Sequence, residues 1–304
     1  MKIPSARKLP SGRWFIRVSV DGKSYNGTFD TEKQAVAWAA QVKNDAKSIR
    51  PTGRMTLTAA IDKYIDVRSG LLSPSTVRGY RIIQKNRFQN MMTRDIFSAT
   101  EAEWRRAVAL DAKRYSGKTV INSWRFISSV ITETTGQKIT VSLPQDTSEE
   151  LPWLTPDQIQ IFVEAIKGDP AEVAALLALS SLRRSELDGL DMSDIDLDAG
   201  VIRVRDVVVL DENNQRVKKR ETKNKTSRRE VPIIPPLAEA IKALPYTTGK
   251  VIRIAPTTAS RRINEICREA GLPEVALHGL RRSFASLAYH LAMPERVAMK
   301  IGGW

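Results

Sequence analysis

The chain opens on a strand-like alternation of apolar and polar side chains. Residues 13–20 alternate in this way, Asp21-Gly22 is a pair typical of hairpin turns, and residues 23–29 form the expected return strand. The period then changes to that of an amphipathic helix. The pattern predicts a small sheet of two or three strands backed by one helix, in a domain that covers residues 1–50.

Helical spacing follows after a linker that contains proline and glycine. Four segments place apolar side chains three and four residues apart, which is typical of amphipathic helices. These segments are residues 56–67, 75–89, 101–113 and 117–134. We interpret residues 55–140 as a four-helix domain. Its second helix carries a basic face, which either binds nucleic acid or is simply solvated.

A third domain begins after a polar linker at residues 144–150. Thr155 and Gln158 form a capping box with Pro156 in the first turn, so a helix begins there. The remaining pattern predicts helices at 171–180, 257–270, 279–292 and 294–301, and strands at 201–210, 215–223 and 228–234. We therefore expect an α+β fold that is mainly α, with a small antiparallel sheet in a last domain at 151–304.

The charge of the chain indicates a class of partner. The 304 residues include 48 Lys and Arg against 34 Asp and Glu, a net charge of +14. The excess is about +7 in residues 1–54, +6 in 55–148 and +1 in 149–304. Such an excess attracts polyanions, which favours nucleic acid over an anionic membrane surface.

Other features of the composition exclude several classes of protein. No apolar run is long enough to span a membrane, and the N-terminus does not resemble an export signal. Cys267 is the one cysteine, so no internal disulfide can form, and no metal site is indicated. A reducing cytoplasm fits this composition.

Three basic motifs in the last domain are the candidates for chemistry. Arg183 ends an apolar helix, where a guanidinium requires an anion, although pairing with Glu186 would satisfy it equally well. Residues 216–229 form a basic hairpin that either reaches a phosphate or is an ordinary exposed turn. His278 and Arg281 lie three residues apart, and hence near each other on one helix face.

The order of these motifs resembles that of the tyrosine recombinases, or phage integrases. The family pattern is Leu-Arg-x-Ser-Glu-Leu, a Thr-Lys hairpin closing on Arg-x-Val-Pro, His-x-Leu-Arg-x-Ser-Phe-Ala, Gly-Gly-His or Gly-Gly-Trp, and then a tyrosine. The corresponding residues here are 182–187, 222–232, 278–285 and 302–304. The resemblance implies an arm-type DNA-binding domain, a SAM-like core-binding domain and a catalytic domain, in that order, with the last two able to close around a duplex.

The resemblance also implies a role for each matching residue. Arg183 and Arg281 would hold the scissile phosphate, with His278 and Trp304 as further hydrogen-bond donors and Glu186 orienting Arg183. Lys223 would protonate the leaving 5′-oxygen, with Lys225 as the alternate. Donors fixed in advance stabilise the charge of phosphoryl transfer, so no metal or other cofactor is implied. The candidate DNA contacts are Arg13, Arg17, Arg78, Arg81, Lys118, Lys225 and Arg228.

The chain departs from the family pattern at two places. Ser181 stands where the family usually has glycine, and the sequence stops at Trp304, before the expected tyrosine. The chain has six tyrosines, namely Tyr25, Tyr64, Tyr80, Tyr115, Tyr246 and Tyr289. We expect none of them to be the nucleophile, and we expect Tyr289 to pack in the core beside Phe284.

The leading hypothesis is a site-specific recombinase of a phage or mobile element. It would cut and rejoin duplex DNA at attachment sites through a 3′-phosphotyrosine, as a tetramer in the cytoplasm of a bacterial host, at the nucleoid. The alternative is a catalytically inactive DNA-binding derivative that occupies recombination sites. A basic transcription regulator would leave the arginine pattern of the last domain without a purpose.

Overall fold

The structure, a computed structural model, describes residues 4–20, 23–48, 54–220 and 228–304. The chain divides into two compact units, of which the first contains Met1–Leu72 and Gly79–Ser148 and the second contains Ser73–Arg78 and Glu149–Trp304. The predicted turns at Asp21-Gly22 and at residues 224–227, and both Lys223 and Lys225, lie outside the described residues.

The chain begins with a three-stranded antiparallel sheet and one helix. Strands β1 (Arg7–Lys8), β2 (Trp14–Val20) and β3 (Lys23–Phe29) are adjacent in that order, and helix α1 spans Glu32–Ser48. Because side chains alternate along β2, Ile16 and Val18 are buried while Arg17 between them is exposed. Ile16 and Val18 pack against Ala35 and Ala39 of α1 and form a small separate core.

Four helices follow in the described residues 54–148, and a side chain caps the start of α2, α4 and α5. They are α2 (Leu57–Asp66), α3 (Pro74–Asn86), α4 (Glu101–Ala112) and α5 (Gly117–Thr135). Thr100 and Glu103 form a capping box at the start of α4, and Gly136 ends α5 in the left-handed conformation at φ 67°. Trp104 and Trp124 contact each other in the interior, 5.8 Å between ring centroids.

Seven helices between residues 156 and 302 build the described part of the second unit. They are α6 (Pro156–Ala165), α7 (Glu172–Leu179), α8 (Arg184–Gly189), α9 (Pro235–Lys242), α10 (Pro256–Glu269), α11 (Leu277–His290) and α12 (Glu295–Gly302). Helix α7 is apolar on all sides, so it is buried along its length and packs against α9, α10 and α11. The capping box predicted at Thr155 is confirmed and begins α6.

Two small antiparallel sheets complete this unit. Strands β4 (Ile195–Asp196), β5 (Val201–Val204) and β8 (Arg229–Pro232) form one sheet, while β6 (Asp206–Leu210) and β7 (Arg216–Arg220) form the other. The fold is therefore mainly helical with small antiparallel sheets, as predicted.

The prediction of one continuous strand at residues 201–210 is wrong. The chain leaves one sheet after Val204 and enters the other at Asp206. Strand propensity is high on both sides of Arg205, so the sequence pattern does not indicate the break. Helices α8 and α9 and strand β4 were not predicted either; α8, with six residues, and β4, with two, are too short to establish a period.

None of the helices within the described ranges is long and apolar enough to cross a membrane.

Candidate active site

Arg183 lies at a sharp turn between two helices. Ser181 adopts the left-handed conformation with φ 75°, which ends α7 and makes Arg183 the N-cap residue of α8. Its backbone N–H donates to Oε2 of Glu186 over 2.7 Å, and its Nη1 donates to Oε1 over 2.8 Å. The guanidinium thus has the carboxylate partner that the sequence analysis considered, while the side chain stays 36% exposed.

Arg229 is a site residue that the sequence analysis missed. It lies on β8, its side chain is 2% exposed, and its Nη1 and Nη2 donate to Oε1 and Oε2 of Glu186, each over 2.8 Å. Its Nε donates to the carbonyl of Ile301 over 2.7 Å. The alternation of β8 could have revealed it, because residues two apart share a face and Val231 is buried.

The Glu186 carboxylate is ionised in the middle of this cluster. Burial raises the pKa of Glu186, and it is the largest single influence. The hydrogen bonds and charge of Arg229, together with the backbone and side chain of Arg183, outweigh burial and hold this pKa below its ordinary value. The guanidinium groups of Arg183 and Arg229 therefore stabilise the negative charge of a carboxylate that has no exposed surface.

Arg281 enters the same cluster from α11. The residue is 5% exposed, its Nη1 donates to the carbonyl of Ser181, and its Nη2 donates to the carbonyl of Gly302 over 2.6 Å. Arg229 also donates to the Ser181 carbonyl, over 3.3 Å. One carbonyl at the α7–α8 turn therefore holds two of the three arginines.

The end of α12 supplies three consecutive carbonyls to three different arginines. Ile301 accepts from Arg229, Gly302 accepts from Arg281, and Gly303 accepts from Arg183. The last carbonyls of a helix have no partner within it and attract cations. The structure thus brings together Arg183 and Arg281, which the sequence analysis proposed, around the C-terminus of α12.

Gly303 and Trp304 complete this corner. Gly303 has φ 62°, and a Cβ at this position would lie 3.1 Å from Nη1 of Arg229, so both conformation and space favour glycine. The Trp304 ring lies 6.0 Å from the ring of Phe284 and 5.6 Å from Cζ of Arg281. Trp304 keeps 46% of its surface exposed, whereas the neighbouring Arg281 is buried.

His278 occupies the first turn of α11, one turn before Arg281. Its side chain is exposed, and no hydrogen bond of its imidazole is recorded among the described residues. Within the described ranges, no group of His, Cys, Asp and Glu side chains could hold a metal ion.

The family follows from a sequence comparison. The profile of the Phage integrase family matches residues 152–304, which is half of the chain and contains the whole arginine cluster. The chain belongs to this family.

Two curated proteins are similar to this integrase-family chain. A tyrosine recombinase XerC-like protein of Caldanaerobacter subterraneus subsp. tengcongensis is 27% identical over 202 residues, covering 56% of this chain and 52% of that protein. Prophage integrase IntF of Escherichia coli strain K12 is 24% identical over 182 residues, covering 53% of this chain and 34% of that protein. The matches thus span 52% and 34% of the length of these relatives.

Two solved structures show the same fold at low sequence identity. The Tn1549 transposon integrase, in complex with transposon right end DNA, has a TM-score of 0.64 and 19% identity, covering 82% of this chain and 91% of that chain. A lambda integrase tetramer bound to a Holliday junction has a TM-score of 0.59 and 17% identity, covering 99% of this chain and 95% of that chain.

The candidate DNA contacts of this integrase-family chain differ in their surroundings. Arg17 and Arg228 are exposed, Arg78 is half-buried, and Lys118 is exposed 3.8 Å from Asp146. Arg13 pairs with Asp30 over 3.0 Å, and Arg81 pairs with Asp62. Arg13, Arg81 and Lys118 therefore already have acidic partners within the protein.

The expectation that Tyr289 packs in the core is wrong. Its side chain is 89% exposed, whereas Phe284 and Ala288 on the same helix are buried. Five residues of an α-helix rotate by about 140° beyond one full turn, so Tyr289 points away from the face that Phe284 buries. Tyr246, by contrast, is engaged, since its hydroxyl donates to the carbonyl of Val251 over 2.9 Å.

Proposed function

We propose that this chain is a site-specific DNA recombinase whose catalytic domain holds one phosphate of a duplex with Arg183 and Arg281. The convergence of these two guanidinium groups on the carbonyls of Gly303 and Gly302 is the observation that carries the proposal. Those acceptors are neutral. Phosphate oxygens are charged and can bind a guanidinium group with two parallel hydrogen bonds, so a phosphate can replace these carbonyls.

The remaining residues complete a phosphoryl-transfer site. His278, exposed one turn before Arg281, donates to the phosphate, and Trp304 donates from its indole N–H. Glu186 keeps Arg183 in place, and Lys223 protonates the leaving 5′-oxygen, with Lys225 as the alternate. Donors that are fixed before reaction stabilise the charge that develops on the equatorial oxygens.

Binding of a phosphate requires the corner at residues 302–304 to move. Arg281 is 5% exposed and its Cζ lies 5.6 Å from the Trp304 ring, so the side chains around it must shift before a DNA phosphate can reach its guanidinium. The Trp304 side chain is 46% exposed, which leaves it room to rotate.

The nucleophile is a tyrosine other than the six in residues 1–304. Tyr25, Tyr64, Tyr80 and Tyr115 belong to the first unit, and the Tyr246 hydroxyl is bound to a backbone carbonyl. Tyr289 lies two helical turns beyond Arg281, about 12 Å along the helix axis. A tyrosine encoded beyond residue 304, supplied by the same protomer or in trans by a neighbouring one, would form the 3′-phosphotyrosine.

The basic first unit binds the same DNA. Its net charge and the exposed Arg17 and Lys118 suit phosphate contacts, with residues 1–50 as an arm-type module, 55–140 as a core-binding domain and 151–304 as the catalytic domain. The partner is duplex DNA at the attachment sites of a phage or other mobile element. The complex is a tetrameric synapse in the cytoplasm of a bacterial host, and both lambda integrase and the Tn1549 integrase have been solved on DNA.

The test starts from a duplex selected out of random-sequence DNA by its binding to this chain. Affinity should fall about a thousandfold between about 50 and 200 mM salt, since several phosphate contacts release counterions. A nicked suicide version of the duplex then reports covalent adducts on denaturing gels, with the chain alone and with any in-frame continuation of its gene. Adduct that depends on Arg183 and Arg281 supports the proposal.

Two other outcomes would change the proposed function. Sequence-selective binding without adduct in either form would favour the inactive DNA-binding derivative. Affinity that hardly responds to salt, or the failure to select any duplex, would contradict DNA binding itself.

A further inference from the structure

Arg229 joins three segments of the chain that are distant in sequence. Its guanidinium binds the Glu186 carboxylate with two parallel hydrogen bonds of 2.8 Å, the Ile301 carbonyl over 2.7 Å and the Ser181 carbonyl over 3.3 Å. The side chain is 2% exposed, so no solvent competes for these bonds. A planar, five-donor group is required to bind all three partners at once.

The first of these contacts determines the orientation of Glu186. Oε1 of Glu186 accepts from both Arg229 and Arg183, and Oε2 accepts from Arg229 and from the Arg183 backbone N–H. The two parallel hydrogen bonds from Arg229 fix the plane of the Glu186 carboxylate. The orientation of that plane determines where the Arg183 guanidinium binds to it. Without Arg229, the carboxylate can rotate about its last bond and Arg183 rotates with it.

The second contact determines the position of the glycine corner. Arg229 holds the Ile301 carbonyl, and the next two carbonyls, of Gly302 and Gly303, bind Arg281 and Arg183. A Cβ on Gly303 would lie 3.1 Å from Nη1 and 3.3 Å from Cδ and Cζ of Arg229, so the corner rests directly on this side chain. Trp304 begins at that corner.

We propose that Arg229 is a positioning residue that sets the geometry of Arg183, through Glu186, and of the segment Gly302–Trp304, through Ile301. The inference rests on the proposed function, in which Arg183 and Arg281 hold a phosphate. Arg229 itself is too deeply buried to touch DNA, which separates its role from that of the two other arginines.

The test measures how well the site recognises one phosphate. In copies of the selected duplex, each phosphate in turn is replaced by an uncharged methylphosphonate. At the position that Arg183 and Arg281 hold, the wild-type chain should bind the native duplex about tenfold or more tightly than the substituted one. Arg229→Lys keeps the charge but not the fork, and it should bring this ratio close to one while other positions keep their ratios.

Controls separate positioning from folding. Arg262→Lys is the matched variant. Arg262 lies on α10, outside the cluster, and pairs with Asp169 over 2.7 Å. This variant should keep the wild-type ratio. In an Arg183→Lys background, Arg229→Lys should change the ratio less than it does in the wild type, because only its effect on the segment Gly302–Trp304 remains. If Arg229→Lys does not fold, Gly303→Ala serves in its place, since its Cβ displaces the same guanidinium.

The outcomes are distinct. An Arg229→Lys or Gly303→Ala chain that is less stable but discriminates phosphate as the wild type does would make Arg229 a purely structural residue and overturn the inference. A wild-type chain that shows no sensitive position in any duplex would overturn the proposed function, and the inference with it.

Discussion

Glu186 binds Arg183 through two different parts of that residue, the backbone N–H at 2.7 Å and the guanidinium at 2.8 Å. The hydrogen bond from the backbone N–H holds the carboxylate at the start of α8. The hydrogen bond from the guanidinium then orients the Arg183 side chain on that carboxylate. The carboxylate therefore caps a helix and orients an arginine at once. Its removal should affect both stability and the site.

The first prediction is that Glu186→Gln destabilises the protein by about 3 kcal/mol, because it leaves the buried Arg229 without a negative partner. Glu186 is fully buried and Arg229 is 2% exposed, so water cannot replace the lost charge. Urea unfolding followed by tryptophan fluorescence measures the change in the free energy of unfolding.

Glu265→Gln is the control for this experiment. Glu265 pairs with Arg262 over 3.2 Å at a site where both side chains are about 40% exposed, so its loss should cost at most about 0.5 kcal/mol. Equal changes in the free energy of unfolding for the two variants would mean that burial does not make the pair of Glu186 and Arg229 more stabilising than an exposed pair.

The second prediction concerns pH. Because the folded protein holds the pKa of Glu186 below its ordinary value of 4.5, the group stabilises the fold fully above that value. This contribution is lost as the pH falls through the lower, folded-state pKa. The difference in unfolding free energy between wild type and Glu186→Gln should therefore shrink in acid. A difference that stays constant or grows as the pH is lowered would contradict the assigned direction.

Local signals in the sequence explain why much of the fold could be predicted. The capping box of Thr155 and Gln158 is encoded within four residues, and the alternation of β2 is visible within seven. Each signal acts at short range, so tertiary structure does not override it. The motif order likewise pointed to Arg183 and Arg281 before any geometry was known.

The arrangement of the cluster could not be predicted in the same way. Rules of burial place arginine outside, so Arg229 was not singled out even though it lies in the Arg-x-Val-Pro motif. Its contact with the Ile301 carbonyl depends on the packing of α12 against β8. No local sequence pattern predicts that packing. The exposure of Tyr289 also depends on which face of α11 is buried, and the surrounding apolar residues suggested the wrong face.

The third prediction is that Ser181→Gly stabilises the protein by about 1 kcal/mol. Ser181 adopts φ 75°, which costs a residue with a Cβ about 1 kcal/mol and costs glycine little. Its buried Oγ also has no hydrogen-bond partner among the described atoms, so its removal leaves nothing unsatisfied. The carbonyl that binds Arg229 and Arg281 is retained. Thermal unfolding checks this, and a lower Tm for Ser181→Gly would show that the hydroxyl has an unrecognised partner.

The last prediction is that Tyr289 contributes neither to the core nor to the chemistry. Its side chain is 89% exposed, so Tyr289→Phe and Tyr289→Ala should change the free energy of unfolding by at most about 0.5 kcal/mol. Phe284→Ala on the same helix should cost about 3 kcal/mol, because Phe284 is 8% exposed and packs beside Trp304. Tyr289 comes eight residues after Arg281, so the Cα atoms of the two residues are about 12 Å apart along the helix axis. Any covalent adduct formed on the suicide duplex should therefore survive Tyr289→Phe. Adduct that disappears in a Tyr289→Phe chain of unchanged stability would identify Tyr289 as the nucleophile and require α11 to rearrange on DNA.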